Sequence, residues 1–336
     1  MSSWNELSAS QVLTTTQLAV GFAAPIADQG LIALDGEESA AFLHNQLTND
    51  VEHLGTGEAR LAGYCSPKGR LLASFLMWRS ETTIFLQLPR EIQAPVQKRL
   101  GMFVLRAKTK LSDATEAPAN QVVIGLGGGL AEAALQTWFD TLPAQPFAKL
   151  DHPLGTLIRV ADAFGAPRYQ WLMSAETAHT VAPVLADKLA VGRTDAWHLS
   201  EIHAGVPQIT KATQEQFVPQ MINFELLGGV NFKKGCYPGQ EIVARSQYLG
   251  KLKRRTTLVT IADAAAAAGV EVFATADPEQ PCGMIVNAAP NGHGGIDALV
   301  EMKLAAIEAA SVRLGSADGA PLIFLDMPYL LDPLDL

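Results

Sequence analysis

The chain has 336 residues, 48% hydrophobic and 18% charged, with a formal net charge of −9. That length allows roughly two to three domains of about 100 to 200 residues each, and the composition excludes wholesale disorder. The negative charge argues against general adhesion to nucleic acid or to an anionic membrane, and no run of about 18 apolar residues marks a transmembrane helix.

The N-terminal MSSWNELSASQ has neither the basic end nor the apolar stretch of a secretory signal, so a cytoplasmic protein with no membrane partner is expected. Residues 31–34 read as a short strand ending at Asp35-Gly36, and Phe42, Leu43 and Leu47 mark the apolar side of a helix. Around that helix end, Gln46, Thr48, Asn49 and Asp50 crowd amide, hydroxyl and carboxylate groups. They suit a ligand rich in donors and acceptors, and equally a capped helix exit. Residues 60–64 and 71–78 read as strands joined by the turn Ser66-Pro67-Lys68-Gly69, followed by a strand at 83–88 and a helix including 96–103.

Residues 122–125 read as a strand leading through Gly127-Gly128-Gly129 into the helical AEAALQTWF. The third glycine of a dinucleotide fingerprint would fall at Leu130, so a flexible turn is the better reading. Strands at 156–160 and 169–173 flank Gly165-Ala166-Pro167, and 175–189 reads as a helix. Asp195 is placed to cap a further helix carrying Trp197 and His203, ended by Gly205 and Pro207. Past Arg255, short strands separated by turn residues suggest a small β-barrel or sandwich, and the alanine run 264–268 reads as a loop or short helix.

The nonapeptide KKGCYPGQE at 233–241 stands out. Gly235 and Gly239 bracket Tyr237-Pro238, forcing a sharp turn around Cys236, and Lys233 and Lys234 sit beside the thiol. Nearby cations favour the thiolate, which makes Cys236 a candidate reactive group with Lys234 as its helper. Cys65 and Cys282 occupy ordinary packing positions in strands. Three cysteines at wide spacings, without a C-x-x-C pair, fit a reducing compartment and give no self-contained metal or cluster site. Between 233 and 255 the basic residues are Lys233, Lys234, Arg245, Lys251, Lys253, Arg254 and Arg255, against the single acid Glu241. Such a segment would attract an anionic ligand tail or an RNA backbone.

With these residues in view, the chain is similar to the YgfZ family, folate-binding proteins linked to iron–sulfur cluster assembly or repair and to tRNA modification. That family is related to the aminomethyltransferase, or T-protein, of glycine cleavage. The signature lies at Lys234, Gly235, Cys236, Tyr237, Gly239, Gln240 and Glu241, and the block from Phe42 to Val51 with Cys65-Ser66-Pro67-Lys68-Gly69 agrees. The resemblance implies an α+β, T-protein-like multidomain fold around a folate pocket: an α/β domain at 1–150, a ferredoxin-like α+β domain at 151–250 carrying the thiol loop, and a β-barrel at 251–336.

It also implies a tetrahydrofolate or another reduced folate as ligand, no permanently bound metal, and iron–sulfur enzymes or assembly proteins as partners. Trp197 would stack on the pterin, with Gln46, Asn49 and Asp50 reading its edge. His203 stands where the family has an acid, Gln29 near where close relatives have a tryptophan, and Arg245 follows the signature. Ala73 and Ser74 occupy the places of the T-protein's aspartate pair, so aminomethyl transfer is not expected.

Overall fold

The computed structural model describes residues 12–115, 121–248 and 252–331. Lys251 and the N-terminal segment 1–11 lie outside the described residues. Three sheets carry the architecture. The first is five-stranded and antiparallel, in the order Ala59–Cys65, Leu71–Arg79, Thr83–Pro89, Gln29–Asp35 and Lys110–Asp113. One of its faces is covered by the helices Ser39–His44 and Arg90–Gly101. The second helix buries Ile92, Val96 and Leu100, spaced one turn apart as an amphipathic helix requires.

The second sheet runs Ala190–Val191, Phe22–Pro25, Gln121–Gly127, Ala166–Ser174, Gly155–Ala163 and Lys149–His152. Its outer face packs the helix Ala175–Lys188, which starts at Ser174, whose hydroxyl accepts the Thr177 N–H at 3.1 Å, and buries Ala178, Val181, Ala182 and Leu185. Phe22–Pro25 and Gln121–Gly127, expected within the 1–150 unit, are thus hydrogen-bonded to strands from beyond residue 160. The sheets therefore do not follow the division at residue 150. Strand pairing between segments so far apart leaves no local trace in the sequence.

The third sheet runs Val312–Leu314, Glu271–Ala274, Asp277–Pro290, Ile296–Lys303, Arg254–Ile261 and Leu322–Leu325. It curls until Arg313 and Pro321 near its two ends meet at one bridge, a half-barrel rather than a closed barrel. The alanine run 264–268 is a loop.

The helix Thr194–His203 lies where the sheets converge, touching the strands Phe22–Pro25 and Asp277–Pro290. A common core there draws Leu31 and Leu61 from the first sheet, Ile158 and Leu172 from the second, and Leu258, Val286 and Leu299 from the third. Asp195 does not cap this helix. Arg193 is the cap residue, with no side-chain cap bond, and Asp195 pairs with it. Among the described residues no helix is long and apolar enough to cross a membrane.

Candidate functional site

The thiol loop is built by two glycines pressed together. Gly239 has φ +80°, and a Cβ there would lie 2.4 Å from the Ser66 carbonyl oxygen. Gly69 has φ +71°, and its Cβ would lie 2.8 Å from that of Ile242. The loop thereby docks on the turn at 66–69, so the two motif blocks of the sequence meet in space. Gly235 is different: its φ is not positive, and a Cβ would make only ordinary contact, 3.7 Å from His44 Nε2. The steric demand falls on Gly239.

Within this loop Cys236 is exposed, whereas Tyr237 beside it is buried. Lys233 points to solvent and Lys234 does not. The Lys234 ammonium donates to the His44 carbonyl at 2.6 Å and to the Gly235 carbonyl at 3.0 Å, and lies 4.8 Å from the centre of the Tyr237 ring. Burial brings its pKa down to about 8, against the pull of Asp50 and Cys236. Burial also pushes Cys65 up to about 12, and raises Cys282, so both buried thiols are held protonated. Gln240 reaches back to the Gly235 carbonyl at 3.5 Å, and exposed Glu241 opens the helix Gln240–Tyr248.

Thr48 and Asn49 hold the segment that leads into the loop. The Thr48 hydroxyl donates to Gly229 O at 2.6 Å, and Asn49 Nδ2 donates to Leu61 O and Gly228 O, both at 2.7 Å. Buried Asn49 therefore spends its amide on the backbone and has none left for a pterin edge. Asp50 faces two histidines, His44 at 3.1 Å and His53 at 2.8 Å. Burial opposes its ionisation, but the bonds from His53 outweigh that and hold its carboxyl below the usual range. Gln46 keeps a buried, unpartnered Oε1. Arg245 is exposed on the helix after the loop.

A second feature sits between the sheets. A narrow slot, a cavity of only about 30 Å³, is lined by Gln29, Ser74, Gln87, Arg168, Gln170 and Glu201, with Phe75, Phe147 and Phe224 among its apolar walls. Through Gln29, Glu201, Val206 and Gln208 it adjoins a wider cleft. Arg168, fully buried, donates to Glu201 at 2.8 Å and to Ser200 at 2.9 Å, while its Nη2 and Gln170 Oε1 have no hydrogen-bond partner. Gln29 donates to Gln208 at 3.1 Å. No residue of 233–241 lines this cavity.

The folate-reading residues expected from the sequence are thus not gathered together. Trp197 is fully buried, with one side against Gly125, where a Cβ would lie 2.0 Å from its ring, and with Arg168 4.9 Å from a ring centre. Neither face is free for a pterin. His203 pairs with Asp297 at 2.7 Å and stacks on Phe164, tying the helix to the half-barrel. Only Gln29 reaches the cavity. The sequence reading passed over Arg168, Gln170 and Glu201, although Arg168 and Gln170, two apart in the apolar strand Ala166–Ser174, alternate with Tyr169 and Trp171 as one polar edge of a buried strand. The basic segment also dissolves. Arg254 pairs with Glu301 and buried Arg255 with Glu225, so among its described residues Lys233, Arg245 and Lys253 remain exposed cations.

No family model matches the chain. It is 33% identical over 233 residues to the tRNA-modifying protein YgfZ of Cronobacter sakazakii, covering 68% of this chain and 67% of that one. It is 32% identical to the protein of that name from Photorhabdus laumondii, covering 68% and 67%, and 30% identical to that from Escherichia coli O157:H7, covering 69% and 70%. Among solved structures, aminomethyltransferase T of the glycine cleavage system from Bartonella henselae superposes with a TM-score of 0.72, covering 93% of this chain and 86% of that one at 15% identity. The α+β fold is therefore that of the T-protein, and with the signature loop docked on the 66–69 turn, the chain belongs to the family of the tRNA-modifying protein YgfZ.

Proposed function

We propose that the chain is a cytoplasmic, reduced-folate-binding accessory protein of iron–sulfur cluster assembly or repair, that it affects tRNA modification, and that it works through Cys236. The observation that carries the folate reading is the pair of orphaned atoms in the cavity wall, Arg168 Nη2 and Gln170 Oε1. A buried polar atom without a partner costs about 1 to 3 kcal/mol, so a ligand that completes its bonding binds with that gain. The amides of Gln29, Gln87 and Gln170 present donors and acceptors along a slot that joins the wider cleft, from which a flat, heteroatom-rich ring would enter. A bound reduced folate would supply a carried one-carbon unit.

Residue 74 contributes a hydroxyl to the cavity wall, residue 73 a buried methyl outside it, and the Glu201 carboxylate is engaged by Arg168. No carboxylate at 73 or 74 assists transfer, which speaks against an aminomethyltransferase. The tRNA part of the proposal rests on family membership, and the iron–sulfur part on the signature loop with the one exposed thiol among the three cysteines. Its partners would be iron–sulfur enzymes or assembly proteins. A direct RNA-binding role is disfavoured, because few cations of the basic segment stay exposed.

Gln170→Leu tests the ligand. It removes the orphaned carbonyl while keeping the volume, and calorimetric titration with tetrahydrofolate should show binding weakened by about tenfold in a folded variant. Unchanged affinity would take the folate out of this cavity.

A further inference from the structure

His44 has no part in the signature or the cavity, yet the thiol loop rests on it. It ends the helix Ser39–His44 and is 8% exposed. Its Nδ1 meets Asp50 Oδ1 at 3.1 Å, shorter than the 3.4 Å from the Val51 N–H to the same nitrogen. That contact favours the tautomer with the proton on Nδ1 and leaves the lone pair on Nε2. Nε2 has no hydrogen-bond partner among the described residues and faces the loop, 3.7 Å from where a Gly235 Cβ would stand. On the other side, Lys234 donates to the His44 carbonyl at 2.6 Å. The backbone just before Cys236 is thereby held against the imidazole.

We propose that His44, oriented by Asp50, is the proton relay of Cys236 in attack on a disulfide or persulfide sulfur. The inference rests on the reading of Cys236 as the working thiol. As the sulfur attacks R–S–S–R′, its proton passes to His44 Nε2. The bond from Cys236 to R–S forms, the S–S bond breaks with its electron pair on R′–S, and His44 returns the proton to give R′–SH. The exchange needs no further oxidant or reductant. The groups facing the imidazole fit the role: Asp50 steadies the imidazolium and is itself held by His53 at 2.8 Å. Lys234, near Tyr237 and within reach of the fields of Asp50, Glu52 and Cys236, is a cation over most of the neutral range and favours the developing sulfur anion.

The test uses the purified full chain and an aromatic disulfide that releases a coloured thiol, with labelling at Cys236 confirmed by mass spectrometry. His44→Gln should slow Cys236 by about tenfold or more at neutral pH, with the rate recovering only at the higher pH where an unassisted thiol ionises. Asp50→Asn should move the profile the same way and carries the test should His44→Gln not fold. Imidazole in the buffer should restore rate to His44→Ala. If His44 only props the loop, its variants will lower the melting temperature while the pH profile and the imidazole response stay as in wild type, and the relay is overturned. The underlying reading fails separately, when Cys236 proves dispensable in cells.

Discussion

At the scale of single residues, the loop separates its two glycines by what each must do. Gly239 combines a left-handed backbone with a Cβ position inside the 66–69 turn, so no rotamer relieves a substitution. Gly239→Ala should cost about 2 kcal/mol or more in denaturant unfolding, and Gly235→Ala within about 0.5 kcal/mol. The reverse order would mean that the loop is not shaped by this docking. The sequence marked both glycines as turn formers, because glycine spacing is visible in one dimension. Which of them a neighbour crowds depends on Ser66 and Gly69, more than 160 positions away. Lys234 shows the same limit: two adjacent lysines read alike, and the fold half-buries one and exposes the other.

At the scale of elements, the helix Thr194–His203 shows where periodicity stops being informative. Its existence and its glycine-ended C-terminus were legible, and Gly205 at φ +67° does close it. The burial of the Trp197 ring was not, because that depends on Gly125, a residue of a distant strand whose missing Cβ leaves the ring its place. The polar end of the helix became a tie to the half-barrel. Asp297 is buried, which opposes its ionisation, but hydrogen bonds from His203 and Asn291 outweigh that and lower its pKa from 3.8. A lowered folded value means stability that is present above the unfolded value and is lost as pH falls through the folded one. Asp297→Asn should therefore destabilise the protein by about 1 to 3 kcal/mol near neutral pH. The gap to wild type should narrow in acid unfolding once the pH drops below the unfolded value. A gap independent of pH would show that the ionised carboxylate adds nothing. Short pieces such as Phe22–Pro25 and the edge strand Lys110–Asp113 escaped the sequence reading, the first too brief and the second too charged to show alternation.

At the scale of the whole molecule, two features are held by one scaffold: a polar cavity among the sheets, and an exposed thiol on a glycine-shaped loop outside that cavity's lining. The family and the T-protein fold were legible because the signature is long and its residues meet the 66–69 block in space. The cavity was not, because Gln29, Ser74, Gln87, Arg168 and Glu201 come from segments with no motif in common. The account stands or falls on Cys236. The most direct measurement is a deletion strain assayed for iron–sulfur enzyme activities and tRNA modification while carrying wild type, Cys236→Ala or Cys65→Ala at equal abundance. The account predicts that Cys236→Ala behaves as the deletion and Cys65→Ala nearly as wild type. Full complementation by Cys236→Ala would contradict it.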